Sequence, residues 1–374
     1  MPNRSCSTKD GKRVRSPEVF VAAHGQDDNV GDPALRRAML EGLAPSSVRH
    51  VLVGAASDAY VNALGLRDTD ILYRSRREWQ ATAFRRAVRG RAAFVSNAGE
   101  IQLNRRRRRI NRVDRVLIAL IRLTGGVAIS TGLGVRQPNG KHSPMLTSLI
   151  RACQIATWRD EPSRAYARAG VVRPDWAFAL GSATSELSNE DRPYLLVSMR
   201  GDTSSPASAW TDAVTAIARE LGLQVRVVSQ VERDEDRGEE LARRLDAELH
   251  PWQGGDHFTA ETDLRGRYRQ ARMVVSDRLH VLIFAATEGA VPLYLPNVAS
   301  AKIPRTMAVV DLDGFQADAT DVESAVATAV SLSSRQKDVL ERVDAARAEL
   351  AELSRSMNAL LDPRVTSGEA RDVD

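Results

Sequence analysis

The sequence contains few cysteines, few aromatic residues and no long apolar run. Its two cysteines, Cys6 and Cys153, lie far apart, and it holds no Cys-x-x-Cys pair and no Cys/His cluster. These absences argue against a disulfide framework and a zinc site, and they are typical of a cytoplasmic protein. No apolar stretch approaches the roughly 18 residues of a transmembrane helix. The N-terminus also lacks the apolar segment of a secretory signal.

Arginine, in contrast, is abundant. The 374 residues include 53 lysines and arginines against 48 acidic residues, which gives a formal net charge of +5. The excess is mostly arginine, which suits ligands that carry phosphate or carboxylate, or an anionic membrane surface. Aromatic residues make up only 5% of the chain. They leave few side chains for base stacking, so we expect no nucleic-acid partner.

The length of the chain predicts two domains, and its composition is that of a soluble globular protein. Short apolar strands alternate with helical segments in both halves, and a polar stretch at 181–193 separates the halves. This pattern predicts an α/β fold with two parallel sheets. The predicted regions are a disordered basic tail (1–16), an N-terminal domain (17–180), a C-terminal domain (194–318), C-terminal helices (319–362) and a disordered tail (363–374).

Local patterns predict further details of these domains. The run at 127–130 predicts a strand that enters a glycine loop at 131–135. The run at 307–312 predicts a last strand of the second domain. Asp32 stands before Pro33 and an apolar periodic run, which predicts a helix with Asp32 as its N-cap.

Residues 271–292 form the most informative stretch. A β-type run ends at Val275, a turn follows, and apolar residues then recur at helical spacing up to Gly289. The pattern predicts one strand–helix–strand crossover unit. Arg278 and His280 stand where the helix begins, so both can face the carboxyl end of the strand, where open α/β sheets bind ligands. The free amide groups of a helix N-terminus favour an anion at this place.

A basic segment precedes an apolar one at 105–123. The basic part consists of Arg105, Arg106, Arg107, Arg108 and Arg109. The whole segment predicts a helix, and a charge run of this kind is most often a solvated helix face. The apolar second half also fits a peripheral contact with the inner face of the plasma membrane, which we keep as an expectation.

Several short motifs follow one another in an order and spacing that point to a known family. They are the opening loop (Gly25, Asn29, Gly31, Asp32, Ala34), the glycine segment at 131–135, an R-D-x-x-S … G-V … D-x-A-F run (Arg159, Asp160, Ser163, Gly170, Val171, Asp175, Ala177, Phe178) and R-L-H … G-V-P (Arg278, Leu279, His280, Gly289, Val291, Pro292), followed by Lys302. Gly25 stands further from Asn29 than in the family pattern. Taken together, the motifs resemble those of the polysaccharide pyruvyl transferase family.

The resemblance implies two Rossmann-like domains that face a cleft, as in the GT-B glycosyltransferases. It also implies phosphoenolpyruvate as co-substrate. The family transfers the pyruvyl group to two hydroxyls of a sugar as a cyclic ketal and releases phosphate. In the family, the R-L-H motif and an arginine after the first strand of the second domain contact this donor. These roles fall on Arg278, His280 and Arg200 here.

The residue types suit this chemistry. Two arginines can bind a phosphate and a carboxylate through paired hydrogen bonds. His280, when protonated, is a candidate for the acid that protonates the enol carbon or assists the leaving group. Asp32 is a candidate base for the attacking hydroxyl. Asn29, Gly31 and Lys302 are further predicted substrate-binding residues.

Two other functions stay open at this point. A GT-B-type glycosyltransferase with a sugar-nucleotide donor is the first, although the 271–292 unit offers no convincing glutamate for a ribose. A basic nucleic-acid or membrane adaptor without catalysis is the second, but it leaves the R-L-H unit without a purpose. We therefore expect a cytoplasmic transferase with a glycan or lipid-linked glycan acceptor, no cofactor beyond phosphoenolpyruvate, and no metal.

Overall fold

The structure is a computed structural model of the chain. It describes residues 18–90, 92–103, 105–187, 191–252 and 254–362, and within these ranges the side chains of residues 105–111 are not described. The tails predicted at 1–16 and 363–374 lie outside the described residues. Within the described part, no helix is both long enough and apolar enough to cross a bilayer.

Eight parallel strands form the first sheet. Their bounds are β1 (Glu18–Ala22), β2 (Arg49–Leu52), β3 (Ile71–Tyr73), β4 (Ala92–Val95), β5 (Gly99–Ile101), β6 (Val127–Val135), β7 (Ile155–Trp158) and β8 (Val171–Val172). Their order across the sheet is β3-β2-β1-β4-β6-β7-β8, and β5 pairs with the carboxyl end of β6. β1 is inside the sheet because its sequence, EVFVA, can be buried on both faces.

Helices cover both faces of this sheet. Their bounds are α1 (Gly31–Glu41), α2 (Asp58–Asn62), α3 (Arg76–Val88), α4 (Arg105–Leu123), α5 (Pro144–Arg151) and α6 (Glu161–Ala167). The alternation of side chains along β1 divides the core between the two faces. Val19 and Val21 belong to the core that contains α1, and Phe20 and Ala22 belong to the core beneath α3, α4 and α5.

The second sheet has five parallel strands in the order β11-β10-β9-β12-β13. The strands are β9 (Tyr194–Ser198), β10 (Gln224–Val228), β11 (Glu248–His250), β12 (Ala271–Ser276) and β13 (Val291–Tyr294). The helices are α7 (Ser208–Leu221), α8 (Glu235–Leu245), α9 (His257–Arg269), α10 (Leu279–Thr287), α11 (Lys302–Met307), α12 (Val322–Ser333) and α13 (Gln336–Leu361). The predicted crossover unit at 271–292 is thus confirmed as β12, α10 and β13.

Three local predictions are wrong. Residues 307–310 are helical and no strand follows at 311–312. The prediction failed because a short apolar run alone cannot distinguish a strand from a helix. The segment 131–135 is not a loop, since β6 continues to Val135 and finds an additional partner in β5. α1 begins at Gly31 with Val30 at the N-cap position, so Asp32 lies in the first helical turn and does not cap the helix.

The two domains meet through helices and through the loop before α1. Arg37 of α1 donates two hydrogen bonds, of 2.7 and 2.8 Å, to Glu261 of α9, and both side chains are buried. In the loop, the Asp28 carbonyl accepts a hydrogen bond from the Glu232 N–H (3.0 Å). α13 returns to the first domain, where it contacts β6 and the 3₁₀ helix Trp176–Ala179. The loops at the carboxyl ends of the two sheets therefore face one cleft.

Candidate active site

The turn between β12 and α10 is held by the neighbouring strand. Arg278 occupies the N-cap position of α10 with extended backbone. Its N–H donates to Ser276 Oγ (3.0 Å), and the Ser276 hydroxyl donates to the carbonyl of Ser198 at the end of β9. Two adjacent strand ends therefore fix where Arg278 and His280 leave the backbone, as expected for the ligand edge of a parallel sheet.

Arg278 is held by a buried carboxylate. Its Nε and Nη2 atoms donate to the two carboxylate oxygens of Asp234. Asp234 Oδ1 also accepts a hydrogen bond from the N–H of Gly201 (2.8 Å). Asp234 therefore connects the Arg278 guanidinium to the turn that follows β9.

Arg200 lies in that same turn. Its N–H donates to Asp277 Oδ1 (2.8 Å), and its Nε and Nη2 donate to Asp202 at 2.8 Å each. The hydrogen bonds from Arg200 lower the pKa of Asp202 to about 2, and the charge of Arg278 contributes to this shift. We call Arg200 and Arg278, with their partners Asp202 and Asp234, the arginine pair.

His280 points to the first domain. A Cβ atom on Gly31 would lie 2.8 Å from both Cβ and Nδ1 of His280. His280 Nε2 lies 4.0 Å from Asp175 Oδ2 and has no hydrogen-bond partner among the described residues. Burial lowers the pKa of His280 to about 4, although the carboxylates of Asp175 and Asp32 oppose the shift. The imidazole is therefore neutral at neutral pH.

Asp32 faces His280 from the first turn of α1. Its Oδ2 accepts the N–H of Gln26 (2.6 Å), and its Oδ1 lies 3.4 Å from Arg36 Nη1. Burial alone would raise the pKa of Asp32, but the charges of Arg36, of His280 when it is protonated in acid, and of Lys302, with the Gln26 hydrogen bond, together lower it below the ordinary value. Asp32 is therefore a stable anion at neutral pH.

Asn29 and Gly31 shape the loop that carries Asp32. Asn29 Oδ1 accepts a hydrogen bond from the Gly31 N–H (3.0 Å), and the Asn29 backbone pairs with Val231 of the second domain. The described contacts of Asn29 are thus those of a turn-forming residue. Gly31 provides the close approach to His280. Their role in substrate binding stays a prediction.

Lys302 begins α11 and reaches the same cleft. Its Nζ lies 3.8 Å from Oε2 of Glu100 in β5, the strand that pairs with the carboxyl end of β6. Burial and the charge of Arg159 lower the pKa of Lys302 to about 8, although Glu100 and Asp32 oppose this. The ammonium group is still mostly protonated at neutral pH, but it loses its proton more easily than an exposed lysine.

Arg159 is a site residue that the sequence analysis did not select. It follows β7 directly and is only 1% exposed. Its Nη1 donates to Asp175 Oδ2 (3.1 Å), but its Nε and Nη2 have no hydrogen-bond partner among the described residues. Its place in the R-D-x-x-S motif, immediately after a buried strand, is the signal that could have identified it. We call His280, Asp32, Asp175, Arg159 and Lys302 the buried cluster, after its buried members Arg159 and Asp175. The other three side chains are partly exposed, that of Lys302 to 35%.

Five of the seven predicted site residues therefore fall into two neighbouring groups. Arg200 and Arg278 belong to the arginine pair, whereas Asp32, His280 and Lys302 belong to the buried cluster. Within the described part of the chain, no group of three His, Cys, Asp or Glu side chains is placed to hold a metal ion.

Solved structures with the same architecture cover nearly the whole chain. UDP-GlcNAc 2-epimerase from Neisseria meningitidis bound to UDP-GlcNAc matches with a TM-score of 0.54 and 8% identity, over 95% of this chain and 100% of that chain. HepE from Anabaena, in complex with UDP and glucose, matches with a TM-score of 0.54 and 8% identity, over 94% and 100%. These matches show the fold, which is two Rossmann-like domains facing a cleft in the GT-B arrangement.

The comparison with curated proteins finds no match. The sequence profile described as polysaccharide pyruvyl transferase matches residues 51–297, which is about two thirds of the chain. The matched region contains Arg159, Arg200, Arg278 and His280, whereas the loop at 29–32 and Lys302 lie outside it. The chain belongs to the polysaccharide pyruvyl transferase family.

Proposed function

We propose that this protein transfers the pyruvyl group of phosphoenolpyruvate to two hydroxyls of a sugar as a ketal, with release of phosphate. The observation that carries the proposal is the turn of Arg278 and His280, where the arginine pair meets the buried cluster. One group offers guanidinium donors for anions. The other places an unpartnered imidazole nitrogen and two cationic side chains in the cleft between the domains.

The arginine pair is suited to a small molecule with two acidic groups. Each guanidinium has five N–H donors and uses two of them on its carboxylate partner, Asp202 or Asp234. Three donors on each arginine stay available, and the carboxylates fix the direction in which they point. The phosphate and the carboxylate of phosphoenolpyruvate are chemically suited to such donors.

The buried cluster is suited to proton transfer. In the reaction, one sugar hydroxyl and then the second attack the enol carbon. One of the two hydroxyl protons ends on the methylene carbon, which becomes a methyl group, and the other leaves with phosphate. His280 is our candidate for the proton donor, and a bound anion would raise its pKa from about 4 because negative charge stabilises the imidazolium.

The remaining cluster residues support this role. Arg159 and Lys302 supply positive charge for the departing phosphate. Asp32 is our candidate for the acceptor of a hydroxyl proton, although its lowered pKa makes it a weak base unless binding removes its contact with Arg36. The acceptor is proposed to be a sugar of a cell-surface polysaccharide or of its lipid-linked precursor, and the reaction is proposed to take place in the cytoplasm.

The competing donor is a sugar nucleotide, because proteins that share the fold were solved with UDP-GlcNAc or with UDP and glucose. Thermal unfolding with phosphoenolpyruvate and with UDP-GlcNAc separates the two proposals. At a ligand concentration of 100 times Kd, the bound ligand stabilises the folded protein by about 2.7 kcal/mol. We expect phosphoenolpyruvate to stabilise the wild-type protein in this way and to have no such effect on Arg278→Ala. The variant His142→Ala, which changes a residue outside both groups, should still be stabilised. If UDP-GlcNAc stabilised the protein and phosphoenolpyruvate did not, the pyruvyl transferase proposal would be refuted.

A further inference from the structure

The positive charge of this chain is concentrated in one segment. Residues 74–151 contain 18 lysines and arginines but only three acidic residues, Glu78, Glu100 and Asp114, and their net charge is +15. The whole chain carries +5, so the other residues together carry −10. This segment includes α3, α4 and α5, which cover one face of the first sheet. The sequence that builds this helical layer is therefore strongly basic.

α4 lies between α3 and α5 in this layer. Its inner face consists of Leu117, Ile118 and Ile121, which are completely buried against the sheet. Its outer face, at the complementary helical spacing, exposes Arg112, Arg115, Val116, Arg122 and Leu123.

Acidic side chains do not neutralise this outer face. Asp114, the only acidic residue of α4, is buried and lies 4.0 Å from Arg76. Among the described residues, neither Arg112 nor Arg115 forms an ion pair with a carboxylate, and Arg122 donates to the carbonyl of Gly126 (3.2 Å). The guanidinium charges are therefore available to an external partner.

Large apolar side chains stand beside these arginines. Leu123 is 84% exposed, Val116 is 57% exposed, and Val88 at the end of α3 is 69% exposed. Arg85 and Arg89 flank Val88. We call these residues of α3 and α4 the basic face; they are Arg85, Val88, Arg89, Arg112, Arg115, Val116, Arg122 and Leu123.

We propose that the basic face binds the surface of an anionic lipid bilayer. Anionic headgroups pair with exposed guanidinium groups, and aliphatic side chains between them can enter the interfacial region. A nucleic acid would pair with the arginines but would leave the aliphatic side chains exposed. Within the described residues of α3, α4 and α5, no aromatic side chain is exposed for base stacking. The combination therefore favours a membrane.

The position of the basic face near the cleft suggests a functional role for membrane binding. α4 begins five residues after Glu100, which lies 3.8 Å from Lys302 in the cleft. A membrane in contact with α4 would thus bring a lipid-linked acceptor to the edge of the candidate active site. This role depends on the proposed function. Membrane binding itself does not depend on it. The contact expected from the sequence through Arg105, Arg106, Arg107, Arg108 and Arg109 falls on side chains outside the described residues and stays a prediction.

Sedimentation with phosphatidylcholine vesicles, with and without phosphatidylglycerol, tests the proposal without any enzyme assay. We expect the full chain to bind only vesicles that contain phosphatidylglycerol, and to bind them less tightly as salt increases. A triple charge reversal, Arg112→Glu with Arg115→Glu and Arg122→Glu, should weaken binding by at least about tenfold. Circular dichroism should show unchanged folding, because all three side chains are exposed.

A matched control reverses three exposed arginines elsewhere, Arg219→Glu with Arg243→Glu and Arg355→Glu. This control changes the net charge by the same amount as the triple reversal on α4. If the position of the charges matters more than their total, its affinity for vesicles should stay within about twofold of that of the wild type.

A second variant, Val116→Ser with Leu123→Ser, separates a membrane from other polyanions. It should weaken vesicle binding several-fold and leave binding to a single-stranded RNA unchanged. Three results would overturn the proposal: no vesicle binding at low salt, equal binding by the wild type and the triple reversal, or RNA binding tighter than vesicle binding with no effect of the serine variant.

Discussion

The arginine pair and the buried cluster start from the same turn but differ in the hydrogen bonds that hold their side chains. Arg278, at the N-cap of α10, and Arg200 are each held by a carboxylate, and the Arg200 side chain is 37% exposed. His280, two residues after Arg278, is 12% exposed, as Arg278 is, but its Nε2 has no hydrogen-bond partner among the described residues. Because residues two apart on a helix point in different directions, one turn can serve two purposes. The guanidinium groups held by carboxylates suit anion binding, and the unpartnered imidazole nitrogen suits proton transfer.

The two groups also differ in which domains build them. All four residues of the arginine pair belong to the second domain. The buried cluster combines Asp32, Asp175 and Arg159 of the first domain with His280 and Lys302 of the second. The pair is therefore complete within one domain, whereas the cluster exists only where the two domains meet. Substitutions in the cluster should alter turnover, and substitutions in the pair should alter donor binding.

The largest expected effect is that of His280→Ala. Loss of an acid–base residue lowers turnover by about 10²–10⁴-fold, and we expect kcat to fall by about 10³ with little change in the KM for phosphoenolpyruvate. Arg278→Ala should do the reverse and mainly raise KM. Steady-state kinetics with varied phosphoenolpyruvate measure both values, and His142→Ala serves as the control. If both substitutions raised KM alone, the functional division between the two groups would be wrong.

The next effect comes from Gly31→Ala. Its new methyl carbon would lie 2.8 Å from His280 Cβ, so the imidazole or the α1 loop must move. Gly31 lies in the first turn of α1 and does not have a positive φ, so alanine strains the contact and not the backbone. We expect kcat to fall about 10²-fold, since small displacements in a site can be this costly.

Gly266→Ala in α9 is the matched control. An added Cβ there has no heavy atom within 4 Å, and alanine is the better helix former by about 0.8–1.0 kcal/mol. The control should unfold at the same or a slightly higher temperature and keep its activity. Normal turnover in Gly31→Ala would contradict the placement of His280 against α1.

The pH dependence of stability is a third distinction between the groups. The pKa of His280 is about 4 in the folded protein, below its ordinary value of 6.5. Between these values the unfolded chain binds more protons, so the free energy of unfolding decreases as the pH falls. Between pH 7 and pH 5, the protonation of this single residue should lower the free energy of unfolding by about 2 kcal/mol. Urea unfolding at both pH values should show a smaller loss in His280→Gln than in the wild type. Equal losses would mean that His280 titrates normally.

Much of the fold could be predicted because it depends on local patterns. The run at 271–292 contains its own strand, helix start and glycine stop, so it specified β12, α10 and β13. The family motifs then supplied the two-domain architecture, which periodicity alone leaves open. The strand prediction at 307–312 was wrong because so short an apolar run does not show a periodicity that distinguishes a helix from a strand.

The candidate site was less accessible from the sequence. Arg278 and His280 could be identified because they stand in a motif, but their different environments depend on partners distant in the chain. Asp234 lies 44 positions before Arg278, and Gly31 approaches His280 from the other domain. Arg159 was missed because a sequence with 53 lysines and arginines does not reveal which one is buried with unpartnered nitrogens.

The smallest effect concerns the carboxylate that orients the arginine pair. Asp234→Asn removes the charge that holds Arg278 but retains an oxygen for the Gly201 N–H. Because Arg278 should then sample more directions, we expect the KM for phosphoenolpyruvate to increase about tenfold, equivalent to about 1.4 kcal/mol, with kcat nearly unchanged. Asp212→Asn, an exposed change on α7, is the control. A lower KM in Asp234→Asn would show instead that Asp234 competes with the donor for Arg278, in which case the carboxylate restrains binding and does not organise it.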